Sequence, residues 1–218
     1  MKPLWSAWLG RMGYQAAWDL QRDLAAHRAS AEIPDYLLTL EHDPVYTLGK
    51  RTADTDVLLD QAALKNKGID VVRTDRGGLA TYHGPGQVIG YPILDLGPAA
   101  DVVAHVCALE QALIDTAADF GATALRIDGL RGVWVGDSKL AAIGVHVSRG
   151  ITTHGFALNV DPDLSAFNGI VPCGILDKGV TSLRTLTGTS AGVEEVADHA
   201  ARHLARCLDR DLVERAHV

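Results

Sequence analysis

Residues 76–87, RGGLATYHGPGQ, set an arginine, a tyrosine, a histidine and a terminal amide among four glycines. The stretch is too polar and too glycine-rich to be core. Gly77 and Gly78 allow the backbone to approach a ligand closely or to take positive φ, and Gly84, Pro85 and Gly86 force a turn. A tight hairpin accounts for the glycines and the proline but gives no reason for Arg76, His83 and Gln87 to crowd the same few positions; a ligand does. Cys173 stands between Pro172 and Gly174 in a stretch with neither helical nor strand periodicity, which makes it the best candidate nucleophile. An inert loop cysteine fits the same pattern. Lys139 opens a strand in which alternation groups it with Ala141, Ile143, Val145 and Val147, so a cation heads an otherwise apolar row. A strand-end lysine that snorkels to solvent would give that row too.

Several other chemistries lack their residues. There is no GxxxxGK[ST] phosphate loop, no GxSxG elbow and no HExxH, and residues 84–90 miss the dinucleotide fingerprint by one position. The nine histidines show no tight ligand spacing, so no metal is expected, while a site assembled from widely separated ligands stays open. Cys107, Cys173 and Cys207 are odd in number and widely spaced, which argues against a disulfide framework or a zinc cluster. A net charge of −7 argues against broad binding to nucleic acid or anionic membrane, and an acidic partner would need a local basic patch; Lys50, Arg51, Arg73, Arg76 and Arg149 are the candidates. No uncharged run is long enough to span a bilayer and the amino-terminal stretch lacks an apolar signal core, so the expected location is the cytoplasm.

The elements that must position these residues follow from periodicity. Residues 14–27 carry Ala17, Leu20 and Leu24 at helical spacing, followed by Pro34 and an extended segment 35–40. His42 falls in the polar, proline-broken stretch 41–44 and reads as a solvated or locally bonded loop histidine, before a strand at 45–50. Asp60 caps a short helix, 61–67, closed by Gly68, and strand 69–72 leads straight into Arg76. Strand 88–94 follows the glycine-rich stretch, with Pro92 pointing to an edge or a bulge. Residues 101–120 form the clearest helix, with Val102, Val106, Leu109, Leu113 and Ala117 on one face and Gly121 as the stop. From 132 to 160 the pattern becomes an antiparallel meander, and in its last strand Gly155, Ala157 and Asn159 make a shallow face that could border a cavity. A final helix opens at Ser190, with Glu194 and Glu195 suiting its amino-terminal dipole and Val196, Ala200 and Leu204 on its apolar face; Cys107 and Cys207 read as packing. Length and composition fit one α/β (α+β) domain over 1–218, with mixed, largely antiparallel sheets and flanking helices.

Four blocks in order, residues 76–87, 139–145 (KLAAIGV), 153–160 (THGFALNV) and 171–175 (VPCGI), resemble the signature blocks of the lipoyl(octanoyl) transferase family. The resemblance runs from about the first helix to the last and implies a fold similar to the catalytic domain of biotin and lipoate protein ligases. It implies transfer of an octanoyl group from octanoyl-acyl carrier protein to a specific lysine of a lipoyl domain, without ATP or other cofactor. The implied acceptors are the lipoyl domains of 2-oxoacid dehydrogenase complexes and the glycine cleavage H protein. The family's catalytic cysteine and lysine map onto Cys173 and Lys139. Its acyl-binding positions map onto Arg76, Gly77, Gly78, Leu79, Ala80, Thr81, Tyr82 and His83, onto Ala142, Ile143 and Gly144, and onto Gly155, Phe156 and Ala157. Three rivals remain at this point: an ATP-dependent lipoate or biotin ligase of the same fold, a non-catalytic module that binds acyl carrier protein or a lipoyl domain, and a hydrolase that releases octanoate.

Overall fold

The computed structural model describes residues 1–171 and 178–214. Its main sheet is mixed. β1 (Lys2–Met12) runs parallel to both β2 (Asp35–His42) and β12 (Arg210–Glu214). β2 is antiparallel to β6 (Gln87–Ile93), and β6 to β10 (Ile151–Asn159). The expected meander then continues through β9 (Ser138–Ser148), β8 (Leu130–Val135) and β7 (Leu125–Ile127), and β11 (Gly179–Val180) lies parallel on β9. A second sheet holds β3 (Val45–Leu48) between β4 (Asp70–Arg73) and β5 (Ala80–His83).

Each face of the main sheet is covered by helix, and alternation along the strands assigns the side chains. Tyr36, Leu38 and Leu40 of β2, with Ile89, Tyr91 and Ile93 of β6, pack beneath α1 (Tyr14–Ala29). Leu37, Val88, Phe156, Leu158 and Val160 face the other way, toward α3 (Val102–Asp119) and α5 (Val193–Cys207). β1 has no counterpart among the expected strands because both of its faces are covered, Leu4 and Trp8 on one and Trp5, Ala7 and Leu9 on the other. An apolar run covered on both sides loses the period of two by which a strand is read.

The helix ends obey capping chemistry. The Asp101 carboxylate accepts from Ala104 N at 2.8 Å at the start of α3, and Asp60 accepts from Ala63 N at the start of α2 (Gln61–Lys67), which ends at Gly68 with φ +62°. Ser182 caps α4 (Leu183–Thr187) in the same way. Val106, Leu109, Leu113 and Ala117 are buried as their spacing predicts, but Val102 in the first turn of α3 is 39% exposed.

Pro92 corrects another expectation, since it lies inside the sheet rather than at an edge. On one side it pairs with Leu37 of β2. On the other, the ladder with β10 stops at Gly90 opposite Phe156 and bonding resumes where Thr152 N donates to Leu94 O. Between them His154 takes φ +57°, its N–H donates to Gln21 Oε1 of α1 at 2.7 Å, and the Thr152 hydroxyl donates to Pro92 O at 2.6 Å. The ring that cannot donate is thus accommodated by turning the opposite amide toward a helix.

Candidate functional site

The glycine-rich stretch seats between the two sheets, and the seat is made of missing side chains. Gly77 N donates to Val145 O of β9 at 3.0 Å, and Lys50 N donates to Arg76 O at 3.1 Å. A Cβ on Gly144 would stand 2.9 Å from Gly77 O, and one on Gly49 would stand 2.5 Å from Gly78 O. Gly78 itself has φ +92°. The loop is therefore held in a slot whose two walls, at Gly49 and Gly144, admit no side chain.

Arg76 is buried beneath this loop and does not belong to a surface patch as a docking cation. Its guanidinium donates to Thr47 Oγ1 at 2.8 Å, to Thr47 O at 2.6 Å and to Gly77 O at 3.0 Å. Lys50, Arg51, Arg73 and Arg149 are exposed. Polarity continues through Gln87, whose amide accepts from Gly84 N and donates to Asn159 Oδ1 at 2.8 Å; Asn159 in turn donates to Thr181 O at 2.9 Å. Thr181 N donates to Lys139 O, so this chain of amides runs from the glycine turn to the backbone of Lys139.

Around the loop lies a cluster of rings. His42 is fully buried, which corrects its reading as a solvated loop residue: Nδ1 donates to Met12 O at 3.0 Å, leaving Nε2 to accept from Tyr91 Oη at 2.7 Å. Burial pushes its pKa down to about 4, so it is a neutral imidazole. His154 Nε2 donates to Asp75 at 2.7 Å and Nδ1 accepts from Tyr14 Oη at 3.4 Å. Burial lowers the pKa of His154 and raises that of Tyr14. Burial alone would raise Asp75, but its hydrogen bond from His154 and the nearby imidazoles hold it below the usual carboxylate range. His83 stacks on Tyr14 with ring centroids 6.3 Å apart, and burial pushes its pKa well below the ordinary value. Its Nδ1 is buried and meets no hydrogen-bonding partner among the described residues.

These pieces enclose a narrow cavity of about 80 Å³. Arg76, Gly78, Leu79, Ala80, Thr81 and His83 line one wall. Ala142, Ile143 and Gly144 of β9 and Gly155, Phe156 and Ala157 of β10 line the other. Asn159 also lines it, so the shallow face of β10 does border a cavity. Two mapped positions stand elsewhere. Gly77 ties the loop to β9, and Tyr82 packs edge-on between Tyr46 and Phe167 beside the second sheet. Tyr14, Tyr91, His154, Phe167 and Val180 line the cavity without having been foreseen; Tyr14 and Tyr91 sit at apolar positions of regular elements, where a tyrosine reads as core.

Lys139 lines the cavity half-buried, with Nζ 4.7 Å from the centroid of the Trp134 ring. The simple alternation of β9 fails here, because the pairing with β8 shifts register between Val133 and Trp134 and both Leu140 and Ala141 enter the core under α3 and α5. Cys173 and the amides near Gly174 lie outside the described residues. The described chain on either side of them, at Phe167 and Val180, lines the cavity.

The family described as lipoyl protein ligase A/B catalytic domain matches residues 13–205. The chain is 52% identical over 206 residues to the octanoyltransferase of Solibacter usitatus (strain Ellin6076), covering 94% of this chain and 93% of that protein. It is 49% identical over 214 residues to the octanoyltransferase of Mycolicibacterium gilvum (strain PYR-GCK), covering 95% and 87%. Its fold is similar to the bipartite lipoate protein ligase of Thermoplasma acidophilum, with a TM-score of 0.79 and 18% identity over 100% of this chain and 88% of that one.

Proposed function

The chain belongs to the octanoyltransferases of the lipoyl protein ligase A/B family and is an acyltransferase, and from that premise we propose that octanoyl-acyl carrier protein is its donor and a lipoyl-domain lysine its acceptor. Lipoyl domains of 2-oxoacid dehydrogenase complexes and the glycine cleavage H protein are the acceptors, and the whole chain acts as one catalytic domain in the cytoplasm. The observation that supports this reading best is the cavity between the glycine loop and the β9–β10 pair. Ala142, Gly144, Gly155 and Ala157 make part of its wall small and apolar, it holds a lysine, and the buried Nδ1 of His83 in its wall has no partner among the described residues.

Cys173 is the nucleophile. A thiol of ordinary pKa, ~8.5, is only a few per cent thiolate at neutral pH, and a neighbouring ammonium on Lys139 raises that fraction by charge. The thiolate attacks the donor thioester; the carbon–sulfur bond to the carrier breaks, the carrier thiolate leaves with the proton of the Lys139 ammonium, and octanoyl is held on Cys173 beside a neutral Lys139 amine. The acceptor lysine then attacks that thioester, its proton passes to Lys139, and the Cys173 thiolate leaves as the amide forms. Both exchanges start from a thioester, so no ATP is consumed.

Arg76 is a positioning residue, holding the loop rather than the chain end, since Thr47 and Gly77 O occupy its donors. His83 Nδ1 offers the buried acyl group a hydrogen bond. Burying the octanoyl tail contributes about 0.8 kcal/mol per methylene, enough for Ala142, Gly144, Gly155 and Ala157 to select chain length by the room they leave. Exposed Lys50, Arg51, Arg73 and Arg149 provide the basic surface for acidic partners.

Intact-mass and peptide mass spectrometry after mixing the protein with octanoyl-acyl carrier protein, without ATP or acceptor, tests the reading. An octanoyl adduct on Cys173 that vanishes when a lipoyl domain is added is the expected result. No adduct, with activity only from ATP and free octanoate, makes the protein a ligase.

A further inference from the structure

On the face of the main sheet opposite the cavity, α3 and α5 bring two imidazoles and a carboxylate to one point. His199 and His203 lie one turn apart on α5, and Asp119 is the last residue of α3. His199 Nδ1 is 2.6 Å and His203 Nε2 2.7 Å from the same atom, Asp119 Oδ2, and the three candidate donor atoms lie within 4.8 Å of one another. The ring planes are set from outside: Phe120 packs edge-on against His199 at 5.0 Å, and the other nitrogen of His203 faces Asp115 Oδ2 at 3.9 Å and the Arg206 guanidinium.

We propose that Asp119, His199 and His203 form a site for a divalent transition metal of the zinc type, which braces α3 to α5. Two neutral imidazole nitrogens and one carboxylate oxygen are the donor set that zinc takes with three protein ligands, and water completes the tetrahedron. Binding moves the proton of each imidazole from the nitrogen that faces Asp119 to its other nitrogen. On His203 that is the nitrogen facing Asp115, the outer carboxylate that such a ligand requires, and Arg206 gives up that nitrogen but keeps Asp115, 3.9 Å away. The other nearby cation, Arg202, is turned toward Asp198 at 4.0 Å. His199 and His203 stand four residues apart, a spacing that becomes a ligand pair only because a third donor from another helix closes it.

The site is independent of the acyl cavity, and its test does not use transfer activity. Calorimetric titration of the full chain with zinc sulfate, with thermal melts in zinc or magnesium, should show one zinc per chain and a rise in Tm for zinc alone. His199→Gln and His203→Gln should each weaken zinc by about a hundredfold, and Asp115→Asn by about tenfold. Cys173→Ser should leave the affinity unchanged. Zinc affinity unaffected by the two histidine variants, lost in Cys173→Ser, or absent from the unmodified chain would overturn the site and leave the cluster as hydrogen bonds between two helices. Circular dichroism of each variant separates lost ligands from lost fold.

Discussion

The two faces of the main sheet bury different matter. Toward α3 and α5 the packing is aliphatic: Leu109 and Leu113 of α3 meet Val196, Ala200 and Leu204 of α5 over Leu37, Val88 and Leu158. Toward α1 and the second sheet, burial takes in Arg76, His42, His83, His154, Gln87 and Asn159, nearly all with assigned partners. Buried polar groups cost free energy unless they are paired. The fold concentrates that cost on the face that holds the cavity; on the other, α3 buries only His105, Glu110 and Thr116 among its polar side chains, and the aliphatic packing carries stability.

That division is exposed to test, and the sharpest challenge is Lys139→Met, which should lower kcat/KM by about 10²- to 10⁴-fold while Tm moves little. A large drop in Tm with turnover intact would erase the distinction. Leu113→Ala on the opposite face should do the reverse, costing about 2–5 kcal/mol in urea denaturation with the folded fraction transferring octanoyl at the normal rate. Gly144→Ala should fall between them, because the new Cβ would meet Gly77 O at 2.9 Å; a cost of about 1–3 kcal/mol, seen as a raised KM for the donor, is expected.

The finest test compares two histidines. His42 serves Met12 O and Tyr91 Oη, whereas neither ring nitrogen of buried His105 in α3 finds a partner among the described residues. His42→Leu strands two buried groups and should cost about 1–3 kcal/mol, while His105→Leu should be neutral or stabilising. Burial pushes both imidazoles down to about 4, below the ~6.5 of an exposed histidine, so between those values the unfolded chain binds more protons than the folded one. Stability should therefore fall as pH drops from about 6.5 toward 4, and His105→Leu should flatten part of that fall in melts across pH.

What the sequence disclosed follows from what is local. The capped helix at 61–67, the α5 stripe and the meander are written in neighbours three, four or two apart, and the glycine stretch is visible because no core tolerates its composition. Hidden features depend on distant partners. β1 and β12 pair across the whole chain, His42 is buried by Tyr91 and Met12, and Lys139 turns toward the cavity through a register shift set by β8. The four motif blocks singled out most of the cavity wall, but Tyr14, Tyr91 and Val180 join it only because the sheets fold them there.

The turned amide of His154 has a use of its own. In a regular sheet its exchange with deuterated water would track opening of the strands, but here its acceptor is Gln21 on α1. Its exchange rate therefore reports how often that helix lifts from the sheet, independently of the strands on either side. Since Tyr14 of the same helix lines the cavity, slower exchange at this one amide after octanoyl loading would measure how firmly an occupied site holds its roof.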